Sequence, residues 1–586
     1  MMEPQAQSIL HGIPLAAQPG IGALTIGGYL REVVRRHGPA EAVVAWHGDR
    51  RISWSYDELL ARSLEVARAL IATGAGKDSR IGILMTNRPE FLSALFGVAL
   101  AGAVAVSLST FSTQDELTHL LEASQVSTLL FERLVPGKDF FAMLTRLEPA
   151  IGSASAPGSL ASHRFPFLTR LVCLPEGIDA PGRVDCVLGG AVEWWDEFLP
   201  HGVSVSDDRV LARAESVVPT DLGGIFFSSG TTNLPKGIVH AQRAFAIQWW
   251  RWGWVMNWPD PVRIWTGNGL FWSGNIVMMT GIGLSSGGTL VLQRTFDAHE
   301  ALRLIERERV SFLNGRPHQW AQLRDAPGWA AADLSSVKYV TRGELIWEHP
   351  SVDTDWVVPM AFGTTETMTV CTGFPAGTPA EVCAASSGRP HPGNTLKIVD
   401  PLSNAVVPLG ALGEVCIKGP TLMIGYLGKA PEQSFDADGY FHTGDAGHID
   451  AQGRFFWSGR MTAMIKTGGA NVSPEEVDEV IALIPGIQRS QTLGVPDELL
   501  GEKVVSCIVP RAGASLDEQA IKAFVKERLA SFKVPKTILF FAESDVVVTG
   551  SEKVKLTELR ELALKRLSES GAREANAAKP FSSIST

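Results

Sequence analysis

Phe226-Phe227-Ser228-Ser229-Gly230-Thr231-Thr232-Asn233-Leu234-Pro235-Lys236-Gly237 is the stretch on which the reading of this chain turns. A short β-prone run, Gly223 to Phe227, leads into small and hydroxyl residues and ends in Pro, Lys and Gly. Small side chains let backbone N–H groups turn onto phosphate oxygens, hydroxyls add donors, and Lys236 brings a full positive charge. The pattern is not a Walker A loop, because Gly237 stands where a magnesium-holding Ser or Thr would follow the lysine. A plain Ser/Thr/Gly turn needs far less order than these residues show. The segment therefore predicts a polyphosphate-binding loop behind a strand.

Around it, 586 residues exceed what one core holds, so two or more domains are expected. A chain 45% hydrophobic and 19% charged, with net charge −10, is globular and gives no electrostatic reason to bind nucleic acid or an anionic membrane. Cys173, Cys186, Cys371, Cys383, Cys416 and Cys507 are scattered without metal spacing. They read as buried thiols in a reducing compartment, and with no signal peptide at the amino end the expected location is cytoplasmic. The apolar run Phe91 to Leu108 nearly reaches membrane-spanning length. Pro89 suits a first helical turn, Gly102 a helix stop, and Ala103 to Val106 a strand, so a buried helix and strand explain the run and no integral membrane association is expected.

Residues 22–150 alternate helical and strand-like segments. A helix is expected from Ser55 through Leu70, a strand over Arg80–Met85 and a helix over Pro89–Leu100, which together predict a parallel or mixed sheet with helices on its faces. Residues 151–162 read as a mobile small-residue loop. Asp297 to Val310 reads as a helix. Ser473-Pro474-Glu475-Glu476 reads as a capping box that opens a compact α+β unit, with strands near Gln491–Val495 and Lys503–Val509 and a helix from Leu516 to Leu529. The tail beyond Glu569 is polar and read as disordered.

The phosphate-loop stretch resembles the signature of the adenylate-forming superfamily, which holds acyl- and aryl-CoA synthetases, peptide-synthetase adenylation domains and beetle luciferases. Three more motifs follow in the order that family requires: Ala361-Phe362-Gly363-Thr364-Thr365-Glu366, Gly439-Tyr440-Phe441-His442-Thr443-Gly444-Asp445 with Gly459-Arg460, and Thr549-Gly550-Ser551-Glu552-Lys553. The likeness runs from about residue 25 to 560. It implies an α/β fold: a large N-terminal domain of layered mixed β-sheets with flanking helices, residues 1–459, and a small mobile C-terminal α+β lid, residues 460–586, hinged at Thr462.

By the same resemblance, Ser228, Ser229, Gly230, Thr231, Thr232 and Lys236 hold ATP phosphates. Phe362, Gly363, Thr364 and Thr365 meet adenine and the α-phosphate, and Glu366 bears on Mg2+. A carboxylate on a tight turn can accept from both ribose hydroxyls, which suits Asp445, with Arg460 beside it. Lys553 is the catalytic lysine by register, with Lys555 as its competitor, and Thr232 and Glu366 complete the catalytic set. Gly468 and Gly469 either face the pantetheine arm of coenzyme A or simply turn the chain. Trp272, Gly274 and His240 fall on the acyl pocket. Seven tryptophans lie between Trp249 and Trp272, and they either fill a core or shape a broad cavity for a bulky acid. Asn233, Thr462 and Glu552 depart from the family pattern, and Arg342-Gly343-Glu344 replaces its adenine loop.

The implied activity is that of an acid–CoA ligase: a small-molecule hydrophobic acid (aryl, medium-chain or branched) is activated with ATP as acyl-AMP and passed to CoA. Alternatives are another acceptor or product for the acyl-AMP, such as a carrier protein or a β-lactone, or a nucleotide-binding protein that has lost catalysis. An amino-acid substrate is disfavoured, because Phe271-Trp272-Ser273-Gly274 lacks the aspartate that would pair its ammonium group.

Overall fold

Strand Arg80–Leu84, helix Pro89–Leu100 and parallel strand Val104–Ser107 form a βαβ unit, and every residue of that helix is buried. The structure is a computed structural model describing residues 7–175, 189–228, 235–340, 345–461, 464–467, 470–497, 500–529, 533–547 and 554–577. No helix among the described residues is long and apolar enough to cross a membrane. The suspicious apolar run is thus a core helix and a core strand.

This unit sits in an eight-stranded sheet. Its order is Val192–Trp194, Arg170–Leu174, Thr128–Glu132, Arg80–Leu84, Val104–Ser107, Leu222–Ser228, Lys236–Ala241 and Gly425–Tyr426. The first six are parallel and the last two antiparallel to their neighbours. A five-stranded sheet, ordered Phe312–Asn314, Arg263–Thr266, Thr289–Leu292, Glu41–His47 and Arg50–Ser55, lies across the same helices. Near-continuous apolar strands such as Thr128–Glu132 suit a sheet covered on both faces. Fully buried Glu132 accepts hydrogen bonds from Thr86 and pairs with Arg88 and Arg294, tying the ends of interior strands of the two sheets with a compensated charge.

A third, antiparallel sheet runs Ile9–His11, Thr395–Val399, Gly413–Lys418, Phe441–Ile449 and Phe455–Arg460. After it, residues 465–540 build a separate sheet of Ala470–Val472, Ile465–Thr467, Gly501–Pro510 and Ile487–Asp497, with Thr537–Phe540 parallel to Gly501–Pro510. Helices Pro474–Ala482 and Glu518–Lys526 cover it through Val477, Ile481, Ile521 and Val525.

Several expectations are corrected. The helix predicted to end at Leu70 continues to Ala72, opened by a complete Ser55–Glu58 capping box. The helix predicted over Asp297–Val310 covers Ala298–Arg307, because Asp297 is its cap and Arg309 turns left-handed. The box expected at Ser473 is half made: Ser473 accepts from the Glu476 N–H, but the Glu476 carboxylate is taken by Lys533 Nζ at 2.6 and 2.7 Å. Residues 151–162 are pinned by Ile151 and Leu160, both buried, and include the end of a short helix, Ala150–Ser153. The tail does not begin at Glu569, since helix Leu556–Ala577 runs past it. Of the cysteines, Cys186 lies outside the described residues, and the other five are buried.

Candidate active site

Strands Leu222–Ser228 and Lys236–Ala241 pair antiparallel with Ser228 opposite Lys236, so the two ends of the phosphate-loop sequence face each other across a ladder. Just before the returning strand, His119 Nε2 meets the Pro235 carbonyl at 2.9 Å. Ser229, Gly230, Thr231, Thr232 and Asn233 lie outside the described residues, as do Arg342, Gly343, Glu344, Thr462, Gly468, Gly469, Glu552 and Lys553.

Beside this pair of strands, Phe362–Thr364 pairs with Thr369–Gly373. Gly363 is required there: a Cβ would lie 1.9 Å from the Thr369 carbonyl oxygen. Thr364 Oγ1 is buried without a partner among the described residues, a donor waiting for an acceptor. Phe362 turns its ring into the third sheet's core, 7% exposed and edge-on to Phe455 at 5.4 Å. A purine stacked on it would therefore meet a ring largely covered by protein. Glu366 is held twice by the following segment: Met423 N–H donates to its carbonyl at 2.7 Å, and Tyr426 Oη donates to Oε1 at 2.9 Å. The Tyr426 ring in turn lies 5.8 Å from Lys236 Nζ.

Asp445 and Arg460 are direct cross-strand partners. Asp445 is 2% exposed; its Oδ1 takes the Trp457 indole N–H and faces Arg460 Nε, both at 3.2 Å. Its Oδ2 is buried with no partner among the described residues. Burial pushes the carboxyl above its ordinary value, and Arg460 pulls it back. A half-satisfied buried carboxylate fits a ligand that brings hydroxyl donors. Glu414 steadies this turn from below, accepting from the Gly444 N–H at 3.0 Å and bonding His442 Nδ1 at 2.9 Å.

The acid side joins at Thr365. Its hydroxyl is 3.3 Å from Ser273 Oγ, and its carbonyl accepts from His240 Nε2 at 2.8 Å. Trp272, half-buried, packs on Phe271, and a Cβ added at Gly274 meets nothing within 4 Å, so open space borders this element. Of the seven tryptophans, Trp249, Trp250, Trp252 and Trp265 are core residues, whereas Trp272 is one of three that keep some exposure. His240 is fully buried beneath Thr365.

That burial has a pH consequence. The His240 imidazole is pushed down to about 4 by desolvation, and its Nδ1 has no partner among the described residues. The folded state resists a proton that the unfolded chain accepts near 6.5, so stability is full above pH 6.5 and is lost as pH falls towards 4, by on the order of 3 kcal/mol. His240→Gln keeps a donor to Thr365 without the titration. Urea melts at pH 7, 5.5 and 4 should show a shallower acid loss in the variant; an equal slope would refute the assignment. The share owed to buried His391, likewise depressed, remains.

Sequence reading missed Tyr426, Trp457, Glu414 and Ser273, which orient the predicted residues. Ser273 and Trp457 lie within quoted segments or close to them. Tyr426 and Glu414 are separated from their partners by 60 and 30 residues, and no local pattern marks them.

Comparison with known proteins gives the class. A family model described as "AMP-binding enzyme" matches residues 30–427, and one described as "AMP-binding enzyme C-terminal domain" matches residues 476–553. The chain belongs to this family, the adenylate-forming superfamily, and to its AMP-forming acyl-CoA synthetase branch. Among particular relatives, a Mycobacterium tuberculosis CoA ligase named for a 7a-methyl-1,5-dioxo-octahydroindenyl propanoyl group is 32% identical over 551 residues, covering 92% of this chain and 99% of the relative. The human mitochondrial medium-chain acyl-CoA ligase ACSF2 is 29% identical, covering 92% and 88%. Among solved structures, the anthranilate CoA ligase AuaEII with anthranoyl-AMP superposes at TM-score 0.73, with 21% identity over 95% of this chain and 100% of that one. ATP-bound MatB from Rhodopseudomonas palustris gives 0.71, with 22% identity over 92% and 98%. These two likenesses match the layered α/β fold with its C-terminal domain.

Proposed function

We propose that this ligase activates a bulky hydrophobic carboxylic acid with Mg·ATP, releases pyrophosphate, and passes the acyl group from acyl-AMP to the CoA thiol. The observation that carries the reading is the meeting at Thr365, where the Trp272–Gly274 element touches the segment that runs into Glu366. An acid lying along Trp272 would bring its carboxylate to a phosphate bound at Thr365. Lys236 and the phosphate loop would hold the β- and γ-phosphates, and Asp445 with Arg460 the ribose. Mg2+ held at Glu366 would neutralise phosphate charge. Catalysis is positioning and charge neutralisation, with no protein nucleophile. We place the domain division at residues 1–459 and 460–586, the lid turning about Thr462 so that Lys553 serves adenylation and Gly468–Gly469 the thiol arm. The location remains cytoplasmic in this proposal, although a mitochondrial relative exists.

The open side of Gly274 supports a large acid, and so do the bicyclic and medium-chain groups in the relatives' names. Pyrophosphate release, with and without CoA, should favour phenyl-bearing, bicyclic or medium-chain acids over acetate. Gly274→Val should cut kcat/KM for the large acids roughly 10-fold or more and spare short ones, because a methylene-sized misfit costs about 1–3 kcal/mol. Acetate outrunning every larger acid would refute the pocket assignment, and CoA-independent products would redirect the acceptor.

A further inference from the structure

Tyr426 stands outside every motif on which the proposed function draws. It occupies the two-residue strand Gly425–Tyr426, which closes the eight-stranded sheet opposite Ile238. Backbone bonds fix its seat: Ile424 N–H to the Val239 carbonyl at 2.7 Å, and Leu427 N–H to the Gly237 carbonyl at 2.8 Å. The same short segment holds the Glu366 backbone through Met423. From this anchored strand the phenol reaches Glu366 Oε1 at 2.9 Å, and the ring lies 5.8 Å from Lys236 Nζ and 5.5 Å from Lys429 Nζ.

A carboxylate with one oxygen tied by a neutral donor presents the other in a fixed direction. Glu366 Oε2 makes no hydrogen bond among the described residues, so Tyr426 leaves one oxygen for a cation while preventing the carboxylate from turning. The tie costs no charge, because a phenol donates without neutralising the carboxylate. Lys236, fixed on the neighbouring strand, shares the ring, so the phosphate lysine and the carboxylate are referenced to one side chain. We propose that Tyr426 is a positioning residue that orients Glu366 to bind the divalent cation of the nucleotide complex. The inference rests on the proposed role of Glu366.

Groups that orient a metal ligand typically set metal affinity by about 10- to 100-fold. Tyr426→Phe removes the hydroxyl and keeps the ring under both lysines, so the fold should persist with an unchanged thermal midpoint. The test titrates Mn2+ into the full-length protein with ATP, followed by water-proton relaxation, beside Mg2+ dependence of pyrophosphate release. The Phe variant should need roughly 10-fold or more cation for half-saturation in both assays, with kcat at saturating Mg2+ within about 3-fold of the parent. Glu366→Gln should lose the site more completely. If Glu366→Gln shifts the titration and Tyr426→Phe does not, Tyr426 is idle and the inference falls. If neither shifts it, the role of Glu366 itself falls. A Phe variant slowed equally at all Mg2+ concentrations would show a merely structural tyrosine and would also overturn it.

Discussion

Asp445→Ala is expected to lower kcat/KM for ATP by about 10²- to 10³-fold while leaving the sheet intact. The carboxylate already spends Oδ1 on Trp457 and Arg460, and its buried Oδ2 has nothing to accept among the described residues. Hydrogen bonds to a charged acceptor contribute about 1.5–3 kcal/mol each, so two ribose hydroxyls together would supply about 3–6 kcal/mol, enough for a loss of that size. Removing a desolvated anion also relieves its burial, which is why the fold should tolerate the change better than the ligand does. The specific signature is a pair of substrates. The parent should discriminate against 2′-deoxy-ATP, and Asp445→Ala should discriminate much less, because the lost hydroxyl has lost its acceptor. Unaltered discrimination in the variant would remove Asp445 from the ribose.

Lys553→Ala is expected to slow acyl-AMP formation by about 10²- to 10³-fold, the loss typical when one donor to developing transition-state charge is deleted. The second half-reaction, starting from synthetic acyl-AMP and CoA, should stay within about 3-fold of the parent, since the α-phosphate charge is then already settled. The matching control is Lys555→Ala. Lys555 Nζ is paired with Glu558 Oε1 at 3.0 Å in the first turn of the last helix, an exposed ion pair worth little to stability. Lys553 loses this role if Lys555→Ala is the variant that loses pyrophosphate exchange, or if both half-reactions fall together.

Much of the architecture was legible because local rules agreed with each other. Pro89 and Gly102 bracketed the buried helix to the residue at its start, and the hydroxyl-rich loop was rightly read as following a strand. Errors gathered where a distant partner intervened. Lys533 drew Glu476 out of a capping box that sequence alone completes, and helix Leu556–Ala577 outran a polar composition that reads as tail. The site divides the same way. Asp445, Glu366 and Thr365 sit in short motifs, but the residues that aim them come from other strands. Tyr426 and Trp457 carry no motif of their own, and Phe362 has the expected identity with its ring turned into the core.

The pairing of Ser228 with Lys236 has a bearing on how this loop can evolve. Opposed across a ladder, the two residues are locked in one register. A one-residue slip of the returning strand would swing Lys236 to the opposite sheet face, together with the strand's contacts to Gly425–Tyr426. Substitution carries no such penalty. The register of the returning strand is therefore the constrained quantity, because it alone decides the face on which Lys236 stands.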